Sequence, residues 1–129
     1  MINLDFSNVT GGNFEPIPAG DYVLEIENIE EQVSKAGNNM LNITFNVAEG
    51  EYAGRKIFEF YVLTEKALWK MKDLLIALGI DTEGQVDIDI DDLEGEMFIG
   101  NVEIQEQRGY EPSNKINTHK PLGDDHVIL

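Results

Sequence analysis

An apolar strand followed at once by an amphipathic helix gives the chain its clearest pattern, over residues 55–79. Residues 57–63 (IFEFYVL) are rich in aromatic and branched side chains, as strands are. Apolar residues then recur with the spacing of one helical face, at Leu68, Met71, Leu75 and Leu78. Thr64 is placed to cap the start of this helix, and Gly79 to end it. Because an apolar stripe needs a partner, the pattern predicts one helix packed on a sheet.

Two strands are predicted before this segment. The first begins at Gly20 and places apolar residues on one face, at Tyr22, Leu24 and Ile26. Ile29 and Val33 break that alternation, which predicts a bend or a bulge. Turn-forming residues 34–39 (SKAGNN) follow. The second strand separates an apolar face from a polar one, with Leu41, Ile43, Phe45 and Val47 against Asn42, Thr44 and Asn46.

Two more strands are predicted after the helix. The fourth carries Phe98, Gly100, Val102 and Ile104 on one face, and a short last strand covers Asn114–Lys120. The order is therefore three strands, a helix and two strands, so the fold class is mainly β with one helix. This order is that of the OB-fold, a five-stranded partly open barrel with its helix between strands 3 and 4. Another small barrel or an α+β roll would also fit the order.

The length of 129 residues favours one domain with a single core. We expect residues 1–122 to form it, with an irregular N-terminal lead-in, and residues 123–129 to form a short acidic tail with an apolar tip. The chain has no cysteine, which excludes disulfides and thiolate chemistry and fits a reducing cytoplasm. We find no signal peptide and no membrane span in the sequence.

Charge is distributed unevenly along the chain. The formal net charge is -16, from 25 acidic and 9 basic residues, which by itself disfavours a polyanionic ligand. Ten of the acids and no base lie between Asp81 and Glu106. The basic residues lie elsewhere, so a locally basic groove remains compatible with an acidic chain.

Neither catalysis nor a metal site is expected. The spacing Asp87-x-Asp89-x-Asp91 is that of a calcium loop, but Asp92 stands where the loop needs glycine and Phe98 where it needs glutamate. The two histidines lack a nucleophile in a catalytic context, and no glycine-rich phosphate loop is present. We therefore predict a protein that is not an enzyme and that uses no cofactor.

Binding of a single strand of nucleic acid fits the remaining pattern best. OB-folds bind oligonucleotides on strands 2 and 3 and on the two loops beside them. Single-strand binders combine cations for phosphates with aromatic rings on which bases stack. The predicted DNA-binding residues are Lys35, Asn38, Asn42, Arg55, Lys56, Phe58, Tyr61, Arg108, Tyr110 and Lys115.

The alternation of strand 3 decides which of its rings face outward. Phe58 and Phe60 share one face, and Glu59 and Tyr61 share the other. A carboxylate should not be buried without a partner, so we assign Phe58 and Phe60 to the core and Tyr61 to the surface. A bulge would reverse this, and Phe58 therefore stays among the predicted binding residues. Trp69 lies off the helical stripe and is expected to pack against a loop.

Four segments resemble a known family: residues 14–22 (FEPIPAGDY), the Ser34-Lys35-x-Gly37-Asn38-x-Met40-Leu41 loop, Gly54-Arg55-Lys56, and residues 63–69 (LTEKALW). They are similar to small phage early proteins, formerly a domain of unknown function and described as phage single-stranded DNA-binding proteins. The resemblance spans residues 1–122 and is most specific over residues 54–79. It implies an OB-fold and sequence-tolerant binding of single-stranded DNA in phage replication or recombination, within the host cytoplasm.

The C-terminal tail adds a possible protein partner. Its residues Asp124, Asp125, Val127, Ile128 and Leu129 resemble the acidic, apolar-tipped tails by which such proteins recruit replication or recombination partners. A frayed chain end without a partner explains these residues equally well. The sequence also leaves open whether the protein forms a homodimer. The main rival function is a phage protein–protein adaptor on the same fold, acting on a host protein, which the acidic charge would suit. An enzyme accessory subunit is a third.

Overall fold

Five antiparallel strands in one sheet and one α-helix make up the part of the chain that the computed structural model describes, residues 2–3, 16–84, 86–106, 108–109 and 111–123. The elements are β1 (Gly20–Val33), β2 (Asn39–Val47), β3 (Lys56–Val62), α1 (Leu68–Ala77), a 3₁₀ helix (Ile90–Leu93), β4 (Met97–Gln105) and β5 (Ser113–Lys120). The predicted order of three strands, a helix and two strands is confirmed.

The strands pair in the order β3-β2-β1-β4-β5, so β1 is central and β3 and β5 are the two edges. The sheet is not closed, since no backbone ladder joins β3 to β5 in the described residues. The two edge strands nevertheless approach each other, and α1 packs against both of them. We call the gap between these edges the seam.

The long β1 is the central strand of the sheet and contains a bulge. Its pairing with β2 shifts register between Ile26 and Asn28, which confirms the predicted bulge. The N-terminal part of β1 pairs with β4, and the rest continues along β2. The turn at residues 34–39 is also confirmed, since Gly37 N donates to Ser34 O at 2.9 Å.

One apolar core lies between the inner face of the sheet and α1. As predicted, β2 buries Leu41, Ile43, Phe45 and Val47. Phe45 stands edge-on to Phe98 of β4, with ring centroids 5.4 Å apart. On β4, Phe98, Gly100 and Val102 are buried as predicted, whereas Ile104 is 42% exposed near the end of the strand.

The helix begins later than the sequence predicts. It starts at Leu68, with Ala67 at the cap position and no side-chain cap, so the prediction that Thr64 is the N-cap is wrong. Thr64 instead opens a turn, in which its carbonyl accepts a hydrogen bond from Ala67 N at 3.0 Å. The C-terminal end is as predicted, because Gly79 has a φ of 81°, which favours glycine.

The described residues of the acidic segment after α1 contain no strand before β4. The segment ends in the 3₁₀ helix, where the Asp89 carboxylate accepts a hydrogen bond from Asp91 N at 3.0 Å. Among the described residues, no group of three or more His, Cys, Asp or Glu side chains is arranged to hold a metal ion. None of the described helices has the length and apolarity needed to cross a membrane.

Candidate nucleic-acid interface

Two phenylalanine rings lie side by side on the outer face of β3. Phe58 is 62% exposed and Phe60 is 50% exposed. Their partners on β2 are Thr44 and Asn42, whose side chains face away from the core. We call these four residues the aromatic platform. The prediction that Phe58 and Phe60 belong to the core is wrong, while the prediction that Asn42 faces outward is confirmed.

Asn42 has an unusual environment within the aromatic platform. Its Oδ1 atom is shielded from solvent and has no hydrogen-bond partner among the described residues. In the sheet it stands between Phe60 of β3 and Glu30 of β1. Buried acceptors without a partner are uncommon in folded proteins. Since this oxygen is shielded from solvent, it is not an accessible acceptor for a ligand on the exposed rings.

Tyr61 is completely buried, so the prediction that it is the outward ring of β3 is wrong. Its ring stands edge-on to Phe45, with centroids 6.3 Å apart. Its Oη atom lies 2.7 Å from Nε2 of His119 on β5. A buried tyrosine needs a partner for its hydroxyl, and His119 supplies one across the seam. Tyr61 is therefore part of the core and cannot stack on a base in this structure.

Glu59 explains the reversed alternation of β3, because its carboxylate faces inward and is fully paired. Oε1 binds Lys70 Nζ of α1 at 2.6 Å, and Oε2 accepts a hydrogen bond from Ile116 N of β5 at 2.8 Å. Its side chain is only 14% exposed. The premise that a buried carboxylate needs a partner was right, but the partners come from elements distant in sequence.

The polar side chains that bridge the seam form one connected set, the seam network: Glu59, Tyr61, Lys70, Asp73 and His119. Lys70 Nζ also donates to Phe60 O at 2.9 Å and lies 4.7 Å from the centroid of the Tyr61 ring. Asp73 Oδ2 accepts from both Nδ1 and the backbone N of His119, at 2.8 and 3.0 Å. The network ties β3, α1 and β5 together where the backbone ladder is missing.

Burial sets the protonation of the two aromatic members of the seam network. Burial lowers the pKa of His119 below its ordinary value, although the hydrogen bond to Asp73 acts in the opposite direction. Burial also raises the pKa of Tyr61 well above its ordinary value. Both groups are therefore neutral near pH 7. The tyrosine hydroxyl then donates to Nε2, and Nδ1–H of the imidazole donates to Asp73.

The predicted cations on β3 flank one end of the aromatic platform. Lys56 pairs across the strands with Asn46, whose Oδ1 accepts from Lys56 Nζ at 3.0 Å. Lys56 Nζ also forms an ion pair with Glu27, 2.7 Å away at the bulge of β1. Arg55 is half-buried just before β3. An exposed ion pair contributes little, about 0–1 kcal/mol, so a phosphate can compete with Glu27 for Lys56.

The β1–β2 turn lies at the other end of the aromatic platform. Lys35 and Asn38 are exposed there, and Asn39 O receives a hydrogen bond from Leu63 N just beyond β3. The six residue steps between Lys56 and Val62 span about 20 Å at the rise of a strand. The exposed rings thus lie between Lys56 at one end of β3 and, beyond the other end, the turn that carries Lys35.

The remaining predicted residues lie around β4 and β5. Arg108 is exposed in the loop between these strands. Lys115 forms a long ion pair with Glu103, at 3.7 Å, on neighbouring strands. Tyr110 lies outside the described residues. The structure does not bring all the predicted residues to one surface, since Tyr61 lies in the core.

Sequence reasoning missed Phe60 as an exposed ring. A usable signal was present, because Lys56, Phe58 and Phe60 share one face of the strand. A lysine seldom faces a core, so Lys56 places the two phenylalanines on the solvent side. Lys70 and Asp73, the members of the seam network on α1, were missed as well. Their helical spacing shows that they lie off the apolar stripe, but it does not show which residues they contact.

Comparison with known proteins places the chain in a family. No curated protein matches it. A family model described as a protein of unknown function (DUF669) matches residues 2–126, and so includes the aromatic platform and the whole seam network. With nearly its entire length matched, the chain belongs to the DUF669 family, which is uncharacterised.

Proposed function

We propose that this protein binds single-stranded DNA without reading its sequence, and that it is not an enzyme. The observation that carries the proposal is the pair of exposed rings, Phe58 and Phe60, next to the polar face of β2. Neither ring contributes to the core. Base–aromatic stacking is worth about 1–3 kcal/mol per base and tolerates any base, because each has a π-face. Two rings of this kind suit consecutive bases of a strand.

The proposal includes an OB-fold. In support, β1 pairs with both β2 and β4, the helix lies between the third and fourth strands, and the edges β3 and β5 face each other at the seam. Ligands of OB-folds bind on strands 2 and 3, which here carry the aromatic platform. The resemblance to phage single-stranded DNA-binding proteins supports a role in phage DNA replication or recombination, in the host cytoplasm.

Few phosphate contacts are expected in such a complex. Lys56 and Lys115 each have a carboxylate partner, and Glu27 and Glu30 lie on β1 near the aromatic platform. Stacking should then contribute more to the binding free energy than counterion release does. The slope of log affinity against log salt should be shallow, because each neutralised phosphate of a single strand contributes about -0.7.

A protein–protein adaptor is the second candidate. The net charge of -16 favours it, since an acidic surface repels nucleic acid at long range. The tail residues proposed to recruit replication or recombination proteins, Asp124 to Leu129, lie outside the described residues. Both functions can coexist, because the tail and the aromatic platform are separate segments of the sequence.

Titration of labelled oligo(dT) tests the proposal, with single-stranded and double-stranded DNA compared over a range of salt. We expect saturable binding of the single strand, weak binding of the duplex, and a shallow salt dependence. No detectable binding of a long single strand at low salt would contradict the proposal and favour the adaptor.

A further inference from the structure

A carboxylate lies in the same row of the sheet as one of the exposed rings. Glu30 of β1 pairs with Asn42 of β2, and Asn42 pairs with Phe60 of β3. Neighbouring strands lie about 4.8 Å apart, so the backbone of Glu30 is about 10 Å from that of Phe60. Glu30 is exposed, while the next residue along β1, Ile29, is buried in the core. The Glu30 side chain therefore lies on the outer face of the sheet, beside the aromatic platform.

Two amide side chains hold the Glu30 carboxylate along β1. Asn28 Nδ2 donates to Oε1 and Gln32 Nε2 donates to Oε2, each over 3.4 Å. Both are long hydrogen bonds. The two oxygens of an ionised carboxylate offer about four acceptor positions and no donor. Each oxygen of Glu30 therefore keeps room for a further and shorter hydrogen bond from a ligand.

The position of this carboxylate limits how a DNA strand can lie on the platform. Phosphates are repelled by Glu30, whereas the N–H groups of bases can donate to it. The cations Lys56 and Lys35 lie toward the two ends of β3, away from the row of Glu30. We therefore expect the phosphates to run along β3. A base stacked on Phe60 then extends its edge over Asn42 toward the Glu30 carboxylate.

The four bases of DNA offer different groups to a carboxylate. Unpaired bases expose their Watson–Crick edge to a protein. On this edge guanine has two N–H donors side by side, N1–H and the 2-amino group, which match the two oxygens of one carboxylate. Cytosine and adenine each have an amino group beside a ring-nitrogen acceptor, and thymine has N3–H between two carbonyl oxygens. Of the four bases, guanine is thus the one that can donate two adjacent hydrogen bonds to Glu30.

We propose that Glu30 gives the aromatic platform a preference for guanine at the position stacked on Phe60, through a bidentate contact with N1–H and the 2-amino group. The inference rests on the proposed binding of single-stranded DNA and adds a base preference to it. Hydrogen bonds to an ionised acceptor are roughly twice as strong as neutral ones. The preference acts at one stacking position, so strands of any sequence still bind.

Oligonucleotides with one changed base test the preference. The probes are a short all-thymine strand and two strands of the same length that carry one central guanine or one central hypoxanthine. Hypoxanthine keeps the purine ring and N1–H of guanine but lacks the 2-amino group. We expect the guanine strand to bind about fivefold more tightly than the hypoxanthine strand, the lower end of what a bidentate pair discriminates. Equal affinities of these two strands would overturn the proposal.

Glu30→Gln and Glu31→Gln are a matched pair of variants. They make the same change of charge at neighbouring positions, but Glu31 pairs with Leu41 and lies on the opposite face of β1 from Glu30. In Glu30→Gln the ratio of guanine to hypoxanthine affinity should fall close to one, because glutamine offers a single neutral acceptor. Glu31→Gln should keep the wild-type ratio, and neither variant should bind the all-thymine strand more weakly. A ratio that survives in Glu30→Gln, or that both variants lose, would contradict the proposal.

A second pair of variants locates the guanine on the platform. Phe60 shares its row with Glu30, whereas Phe58 shares its row with Thr44 and Asn28. Phe60→Leu and Phe58→Leu should both melt like the wild type, because the rings are exposed, and both should bind every strand more weakly. Only Phe60→Leu should also remove the difference between guanine and hypoxanthine. Loss of that difference in Phe58→Leu instead would assign the guanine to the other ring and overturn the proposal.

The results separate this inference from the function on which it rests. Saturable binding of all three strands with equal affinities would overturn the guanine preference and leave the DNA-binding proposal standing. Binding of none of them at low salt would overturn both. A preference for guanine that Glu30→Gln removes, in a protein that melts like the wild type, would establish Glu30 as the residue that determines the specificity of the platform.

Discussion

The two faces of β3 depart from the division of side chains in an ordinary half-buried strand at three positions, Phe58, Glu59 and Phe60. Such a strand turns its apolar residues to the core and its polar residues to water. Here Phe58 and Phe60 face solvent, while Glu59 and Tyr61 face inward. The inner face therefore holds the fold together through the seam network, while the outer face leaves two rings exposed, to which the proposed function assigns the binding of DNA.

The inner face can be polar because the seam lacks a backbone ladder. The Glu59 carboxylate accepts a hydrogen bond from Ile116 N, and the Asp73 carboxylate accepts one from His119 N. Side chains thus replace part of the strand pairing that would close a barrel. Since the rings on the outer face take no part in these contacts, changes to the two faces should have separable effects on stability and on binding.

Loss of the Tyr61 ring should have the largest effect on stability. Tyr61→Ala removes a completely buried aromatic and should lower the free energy of unfolding by about 3–5 kcal/mol. The matched change on the outer face, Phe58→Ala, should cost no more than about 0.5 kcal/mol, as surface substitutions do. Denaturant melts measure both. Equal losses of unfolding free energy in the two variants would show that the inner and outer faces of β3 contribute equally to stability.

Neutralising Glu59 should have the next largest effect. Glu59→Gln weakens the bonds to Lys70 Nζ and Ile116 N, and hydrogen bonds of charged groups are worth about 1.5–3 kcal/mol. Glu103→Gln is the control, because it breaks an ion pair whose side chains are 42% and 43% exposed. That change should cost about 0–1 kcal/mol. If Glu103→Gln lost as much stability as Glu59→Gln, the seam network would stabilise the fold no more than an exposed ion pair does.

Acidification should weaken the fold through His119. Because burial lowers its pKa, the folded state binds fewer protons than the unfolded state once the pH falls below the ordinary value of about 6.5. Stability is therefore fully present above that pH and declines as the pH falls toward the lowered pKa of the folded state.

Unfolding midpoints between about pH 5 and 8 measure this decline. The chain has two histidines, which provides a control. His119→Gln should be less stable overall and lose the decline between these values, while His126→Gln should keep it. A decline that persists in His119→Gln would assign the titration to another group.

Removing the carboxylate that competes for Lys56 should have the smallest effect. Glu27→Gln frees Lys56 Nζ from its ion pair and should tighten oligo(dT) binding by at most about 1 kcal/mol. Glu94→Gln removes the same charge at an exposed site beside the 3₁₀ helix and should change affinity less. Equal gains in both variants would show that only the net charge of the protein matters.

Local patterns in the sequence predicted most of the fold. Alternation gave the buried face of β2 and the bulge of β1, and Gly79 marked the end of α1. These features depend on neighbouring residues alone. The N-cap of α1 was wrongly predicted at Thr64, because a threonine is typical both of the start of a turn and of a helix N-cap, and the sequence alone does not distinguish them.

The candidate site was predicted less well, because it depends on contacts between distant residues. The outward position of Asn42 followed from alternation, but the alternation of β3 allows either face to be buried. The choice depends on whether Glu59 has partners, and Lys70 and Ile116 become its partners only through the packing of α1 and β5 across the seam. The ion pair of Lys56 with Glu27 likewise follows from strand register and the bulge.

The most direct test is oligo(dT) affinity of the double variant Phe58→Ala, Phe60→Ala. Its control is Ile76→Ala, Ile104→Ala, which removes two side chains of similar exposure, 50% and 42%, away from the aromatic platform. We predict that the platform variant melts like the wild type, keeps the salt slope, and loses at least about 2 kcal/mol of binding free energy, while the control binds normally. A folded platform variant with unchanged affinity would show that the exposed rings of β3 do not bind DNA.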